Sequence, residues 1–341
     1  MQSIANIYPQ LTVPKKVVVT MHQKPDADAM GSSLGLYHFL KQFNHEVTVI
    51  SPTNWASFLS WMPGADKVLD FDRPHLKAKA LEAIVGADWV FCLDFNTLSR
   101  TKNMEQALSD TQALRILIDH HQQPQVDMFS FGESNTEKSS TCEMIYDFII
   151  ASGHADKLNN EAAQCIYAGV MTDTGSFRFP ITSAAVHRLI ADLKTRGLNH
   201  SKIHEDLFDN FSENRLKFIG NVLLNRLVVF YEYNTALITI PQADLIKYDI
   251  KTGDTEGLVN YPLSIEGIKL ATIIIDRGEE RKLSFRSKGD FDVNEFARKY
   301  FSGGGHKNAA GGQSEKPLDE VAKDFEEAIK QNRDQLSTYN F

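Results

Sequence analysis

Through the first half of the chain, short β-rich apolar runs alternate with stretches of helical spacing. Val17–Thr20 is β-branched and predicts a strand. Gly31 to Leu40 then carries apolar residues at helical spacing and predicts a helix. Glu46–Ile50, Trp89–Leu93 and Arg115–Ile118 predict three more strands. Ser140 or Thr141 is placed to cap a helix from Cys142 to Ile150, and Asn159 or Asn160 one that begins at Glu161. Strands that alternate with helices predict an α/β domain with a mainly parallel sheet flanked by helices.

From Thr182 to about Asn225 the spacing is helical, with polar breaks at Gly197-Leu198-Asn199 and Ser212-Glu213-Asn214. Beyond it, Leu227–Tyr233, Ala236–Ile240, Ile268–Ile275 and Lys282–Arg286 predict strands, and Val293–Tyr300 and Pro317–Asn332 predict helices. The expected organisation is therefore α/β in two domains. A larger domain spans residues 1–190, a helical linker 191–225, and a smaller α/β domain 226–341.

A length of 341 residues suits two domains, and 42% hydrophobic residues can fill two cores. No apolar run is long enough to cross a bilayer, and the start Met1-Gln2-Ser3-Ile4-Ala5-Asn6 does not read as a signal peptide. Three cysteines in apolar contexts, Cys92, Cys142 and Cys165, read as reduced, buried thiols. Together these predict a cytoplasmic protein with no membrane partner. The net charge of −8 is uneven. Residues 1–214 hold 18 Lys and Arg against 25 Asp and Glu, while residues 215–341 hold 18 against 19. An acidic front half suits metal binding and disfavours a long duplex DNA footprint, though not a short nucleotide held by a few cations.

The candidate chemistry sits at element ends. His22, Asp26 and Asp28 follow the first strand, Asp94 follows Trp89–Leu93, and Asp119-His120-His121 closes Leu114–Ile118. Asp173 lies in Met171-Thr172-Asp173-Thr174-Gly175. In open α/β sheets ligands gather beyond the carboxyl ends of the strands. In an extended loop Asp26 and Asp28 would point to one side and serve different ions. Asp94 could bridge two ions through its two oxygens. Two ions about 3.5–4 Å apart can activate water and clamp an in-line displacement at phosphorus. Mixed carboxylate and imidazole ligands suit manganese best, with zinc, cobalt or iron open and magnesium less natural. A lone His-x-x-x-Asp or His-His pair is ordinary loop chemistry. Four segments that deliver such groups together are not.

These residues resemble the DHH phosphoesterase family, and the likeness covers nearly the whole chain. His22, Asp26 and Asp28 with Gly31-Ser32 match its first motif, Asp94 its second, Asp119-His120-His121 its third and Asp173 its fourth. The resemblance implies one ion on His22, Asp26 and Asp94, and another on Asp28, Asp94, His120 and Asp173. It implies that Asp119 orients an imidazole and that His121 faces the substrate, as a phosphate contact or proton donor.

Gly303-Gly304-Gly305-His306-Lys307-Asn308-Ala309-Ala310-Gly311-Gly312 resembles the glycine-rich signature of the DHH-associated C-terminal domain. Consecutive glycines can form an anion nest, and a helix start near Ala309 would aim its positive end there. His306 adds a donor, and Arg286, after a strand, could fork onto a phosphate. Arg100 and Arg178 are as well explained by exposed loops. The short two-domain form is similar to the stand-alone oligoribonuclease and 3′-phosphoadenosine-5′-phosphate phosphatase group. It implies a manganese-dependent phosphoesterase acting on short RNA or a small phosphorylated nucleotide in a cleft between the domains. Cyclic-dinucleotide phosphodiesterase and pyrophosphate or polyphosphate hydrolase are the alternatives. The residues do not choose an oligomeric state, a homodimer included.

Overall fold

The computed structural model describes residues 1–337. Residues 338–341, the end of the expected last domain, lie outside the described residues. The chain divides into two compact units, Met1–Asn210 and Phe211–Phe341.

The first unit is built on β1 (Gln2–Ser3), β2 (Lys16–Thr20), α1 (Ala27–Leu40), β3 (Glu46–Ser51), β4 (Leu69–Asp70), α2 (Pro74–Val85) and β5 (Trp89–Leu93). It continues with α3 (Glu105–Asp110), β6 (Leu114–Asp119), β7 (Phe131–Ser134), α4 (Thr141–Ala151), α5 (Asn160–Asp173), α6 (Ala184–Thr195) and α7 (His200–Phe208). Its seven strands run in the order β1-β7-β6-β5-β2-β3-β4, and every pairing is parallel.

The apolar runs are continuous because both sheet faces are covered, as a parallel sheet requires. Val17, Val19, Phe91, Leu93, Ile116 and Ile118 enter one core with α1, α4 and α5. Val18, Val90, Cys92 and Leu117 enter the other with Ala80 and Ile84 of α2 and Leu108 of α3. All three cysteines are buried and unpaired. The sequence did not signal β1, β4 or β7. Two of these have only two residues, too few for periodicity to register.

The order of strands creates the place for a site. The chain leaves β2 toward β3 and β4, then returns to β5 on the other side of β2 and proceeds to β6 and β7. Strands β2 and β5 are thus neighbours whose connections diverge, the crevice where such sheets bind ligands.

The second unit contains α8 (Glu213–Asn225), β8 (Leu227–Phe230), β9 (Thr235–Ile240), α9 (Gln242–Lys247), β10 (Leu270–Asp276) and β11 (Arg281–Ser287). It ends with α10 (Val293–Tyr300), β12 (Gly304–His306), β13 (Ala309–Ser314), α11 (Leu318–Gln331) and α12 (Arg333–Ser337). Its six strands run β12-β13-β11-β10-β9-β8, antiparallel except for β9–β10. Phe296 of α10 and Val321, Phe325 and Ile329 of α11 cover one face, over Leu283 and Phe285. Phe218 and Val222 of α8 cover the other, over Ile238, Ile240 and Ile273.

The stretch expected as a linker, 191–225, is divided between the units. Leu193, Leu198, Ile203 and Leu207 belong to the first unit's core, and Phe218 and Val222 to the second's. Amphipathic helices look alike whether they link domains or cover a sheet, so the sequence pattern could not separate the two.

Every residue of α1 except His38 is buried, because α5 and α4 pack on it opposite the sheet. Gly31 makes the close approach possible: a Cβ there would lie 2.5 Å from the Cys165 carbonyl oxygen of α5. Alanine would gain about 1 kcal/mol of helix propensity. Overpacking against a backbone atom costs about 1–3 kcal/mol, so the clash should win. Gly31→Ala is therefore expected to lower the denaturation midpoint of the metal-free protein, and an unchanged or higher midpoint in urea would show that the helices can part.

Candidate metal centre

The site is assembled at the carboxyl edge of the first unit's sheet. Asp26 caps α1: its Oδ1 accepts hydrogen bonds from Asp28 N (3.1 Å) and Ala29 N (3.0 Å). Helix α1 therefore begins at Ala27, not near Gly31, and Asp28 lies in its first turn rather than in an extended loop. The expected same-side alternation of Asp26 and Asp28 does not apply. Asp28 turns inward and is fully buried, while about half of the Asp26 side chain is exposed.

Asp94 follows β5 with a left-handed backbone, φ 63°. Aspartate tolerates this conformation better than most residues. Its N–H donates to Ile118 O at 3.1 Å, which ties the turn to β6. Its two oxygens face different groups. Oδ2 lies 3.4 Å from His22 Nε2; Oδ1 lies 3.4 Å from His120 Nε2 and 3.7 Å from His121 Nδ1. His22 Nε2 is also 3.9 Å from Asp26. His120 Nε2 is also 3.7 Å from Asp28 and 3.6 Å from Asp173, the last residue of α5. The structure thus brings His22, Asp26 and Asp94 together as one set and Asp28, His120 and Asp173 as a second, with Asp94 touching both.

The donor set fits a divalent cation. His22 Nδ1 lies 2.7 Å from Gln23 O and His120 Nδ1 3.2 Å from Lys138 O. A carbonyl only accepts, so each Nδ1 carries the proton and, in the neutral ring, Nε2 presents a lone pair. Each Nε2 faces carboxylates, which also only accept. Such an arrangement is stable only if a proton, on the imidazole or on a carboxyl, or a cation lies between. Among the described residues, the ion pairs of Asp28, Asp94 and Asp173 are all with imidazoles.

The metal-free electrostatics show the same strain. Burial, then the charge of Asp94, pushes the Asp28 carboxyl up to about 7. Burial and the charges of Asp28 and Asp26 hold Asp173 well above the carboxylate range. Burial opposes charge on His120, yet Asp94, Asp28 and Asp173 carry it up to about 10. Burial also works against ionising Asp94, but His120 and His22 keep it well below the ordinary range.

His121 is held differently. Its Nδ1 lies 2.7 Å from Asp119 Oδ1, and burial holds the ring well below its ordinary value. Asp119 is itself pushed to about 6, by burial and then by Asp94. Its Oδ2 is buried with no hydrogen-bond partner among the described residues.

The start of α4 supplies residues that the sequence reading missed. Thr141 Oγ1 donates to Asp94 Oδ1 at 2.9 Å. Thr141 N and Cys142 N donate to Asp28 Oδ2 and Oδ1 at 2.7 and 2.8 Å. Ser140 caps the helix, as expected, through Glu143 N at 3.0 Å. The signal in the sequence was the hydroxyl run Ser139-Ser140-Thr141 ahead of an apolar helix, which also reads as a simple cap.

In the second unit Arg286 lies inside β11, not after it. Arg286 and His306 are both register partners of Ala309. Residues directly paired on neighbouring strands share a face, so the two flank Ala309 on one side of the sheet. Ala309 begins β13, so a strand start stands where the helix start was expected. Gly303 N donates to Ala297 O (3.2 Å) and Gly305 N to Asn294 Oδ1 (2.8 Å), so two nest donors are already engaged. The glycines serve close approach: a Cβ on Gly303 would stand 2.0 Å from Gly311 O.

Carboxylates and imidazoles converge at the switch point of a parallel sheet, a donor set that suits a metal-dependent hydrolase. The chain belongs to the DHH family: residues 16–170 match the DHH family N-terminal domain, and residues 233–337 match the DHHA1 domain. It is 28% identical to the bifunctional oligoribonuclease and PAP phosphatase NrnA of Bacillus subtilis, over 93% of this chain and 95% of that protein. The protein of the same name from Thermus thermophilus is 27% identical, over 94% and 90%. The crystal structure of an exopolyphosphatase-related protein from Bacteroides fragilis is 36% identical, with a TM-score of 0.92 over 98% of this chain and 97% of that one. Among the described residues no helix is long and apolar enough to cross a membrane.

The raised groups set a pH dependence. In the metal-free protein Asp28 holds its proton from 3.8 to about 7 and His120 from 6.5 to about 10. Each binds its proton more tightly folded than unfolded, so each stabilises at low pH, and that stability is lost as pH rises through its folded value. A cation displaces these protons, so its stabilisation should grow with pH. Mn2+ is expected to raise the melting temperature more at pH 8 than at pH 6, measured against chelator-treated protein; an equal rise at both would contradict the assignment.

Proposed function

We propose that the protein is a manganese-dependent phosphoesterase that hydrolyses short oligoribonucleotides to nucleoside 5′-monophosphates and 3′-phosphoadenosine-5′-phosphate to AMP. The observation that carries this reading is the division of Asp94, one oxygen facing the His22 set and the other the His120 set. A shared carboxylate of this kind suits two ions, one on His22, Asp26 and Asp94, the other on Asp28, Asp94, His120 and Asp173. When bound, the pair supplies Lewis acidity toward a phosphate oxygen and lowers the pKa of water.

The chain's own residues do the rest. The backbone carbonyls of Gln23 and Lys138 aim Nε2 of His22 and His120. Asp119 accepts from His121 Nδ1 and orients the ring, and Nε2 of His121 exchanges a proton with the substrate or holds its phosphate. In the second unit Arg286 and His306 grip a phosphate, and the run Gly303, Gly304 and Gly305 shapes the hairpin that presents His306. The substrate class rests on the full-length likeness to proteins named as oligoribonuclease and PAP phosphatase. The acidic balance, net −8, favours short substrates over long duplex DNA.

A second reading, hydrolysis of a base-free phosphate chain, is favoured by the description of the Bacteroides fragilis structure as exopolyphosphatase-related. Di-adenylate RNA, 3′-phosphoadenosine-5′-phosphate, cyclic di-AMP, pyrophosphate and polyphosphate, each tested with Mn2+, separate the readings. The two proposed substrates should turn over fastest; fast polyphosphate cleavage with di-adenylate untouched would favour the second. Asp94→Ala and His120→Ala should each lower kcat/KM by at least about 100-fold, and full activity in both would refute the site. Arg286→Ala should chiefly raise KM, read from initial rates on di-adenylate.

A further inference from the structure

A residue outside the proposed ligands touches carboxylates from two different elements of the centre. Thr141, the first residue of α4, is fully buried. Its N–H donates to Asp28 Oδ2 and its hydroxyl to Asp94 Oδ1, at 2.7 and 2.9 Å. Asp28 is held at both oxygens, since Cys142 N donates to Oδ1. Three residues before Thr141, Lys138 O holds His120 Nδ1. The segment 138–142 thus reaches Asp28, Asp94 and His120, three of the four groups in the second proposed set. His22 and Asp26 are held instead by Gln23 O and by the N–H groups of Asp28 and Ala29.

The position of the hydroxyl matters because a carboxylate shared between two sets must hold one rotation. A free aspartate side chain turns about its last bond over a broad range. The hydroxyl binds Oδ1, the oxygen that faces His120, and not Oδ2, which faces His22. The bond of Asp94 N to Ile118 O fixes only the backbone, whereas the hydroxyl of Thr141 is a neutral donor to the carboxylate itself. It acts on Oδ1 whether or not the imidazoles are charged. Threonine is stiff at χ1, so its hydroxyl is itself aimed by the helix start.

We propose that Thr141 is a positioning residue that fixes the Asp94 carboxylate and thereby sets the affinity of the ion on Asp28, Asp94, His120 and Asp173, leaving the ion on His22, Asp26 and Asp94 less affected. This rests on the two-ion reading and adds an ordering of the two sites. Loss of a group that orients a ligand typically weakens a metal by about 10–100-fold. Valine keeps the shape of threonine and removes the hydroxyl; serine keeps the hydroxyl.

The test is a calorimetric titration of metal-free full-length protein with Mn2+, with the spectrum of bound Mn2+ recorded by electron paramagnetic resonance. Wild type should bind two ions and show their mutual coupling. Thr141→Val should retain one site within a few-fold and weaken the other by about 10–100-fold, with the coupled signal lost at equal metal. Thr141→Ser should restore both. Excess Mn2+ should return the valine variant's kcat toward wild type, which a merely damaged fold would not allow. If Thr141→Val does not fold, Thr141→Ala is read against Thr141→Ser in the same titration. Two sites unchanged in the hydroxyl-free variant, or both weakened equally, would overturn the proposal. A wild-type protein that binds no pair of ions would instead overturn the underlying reading.

Discussion

Like charge held in a confined space is the constraint on which this protein depends. Asp28 and Asp94 are buried beside each other and beside the partly exposed Asp173, and the groups aimed between them are imidazole nitrogens. In isolation this would be unfavourable, because a buried carboxylate either loses its charge or needs a partner. The raised Asp28 and Asp173 and the strongly basic His120 are the metal-free protein's own response to that unfavourable state. The proposed cations would neutralise it. The centre would then stabilise the fold at the same point at which it does chemistry.

The architecture around the centre serves to keep these groups in place. Diverging connections at β2 and β5 bring His22 and Asp94 to adjacent strand ends. The left-handed turn at Asp94 and its bond to Ile118 O fix the backbone from which the carboxylate projects. Helices α1 and α5 approach at Gly31, closely enough that α1 can carry Asp28 and α5 can carry Asp173 to the same imidazole. Asp119 against His121 sits beside this arrangement and fixes a ring that burial keeps neutral.

Much of this was legible in the sequence. Buried parallel strands write themselves as continuous β-branched and aromatic runs, so β2, β5 and β6 and the acidic or imidazole groups after them could be read directly. The two-unit α/β layout and the DHH resemblance were legible too. What escaped depended on local backbone geometry or on partners far along the chain. Asp28 looked like part of an extended loop because Asp26 serves both as a cap and as a candidate ligand. The hydroxyl of Thr141 acts on Asp94, 47 positions away, which no local pattern encodes. The run 303–305 looked like an anion nest at a helix start, but its glycines serve a tight hairpin and share their N–H groups with Ala297 and Asn294. The helices over 191–225 divide between units according to the core each meets, which amphipathicity alone does not reveal.

The most direct test of the central claim is anomalous diffraction from crystals grown with Mn2+. The account predicts two peaks about 3.5–4 Å apart, one between His22, Asp26 and Asp94 and the other between Asp28, His120 and Asp173, with Asp94 joining them. A single peak with no contact to Asp94, or Mn2+ bound only elsewhere on the chain, would contradict it.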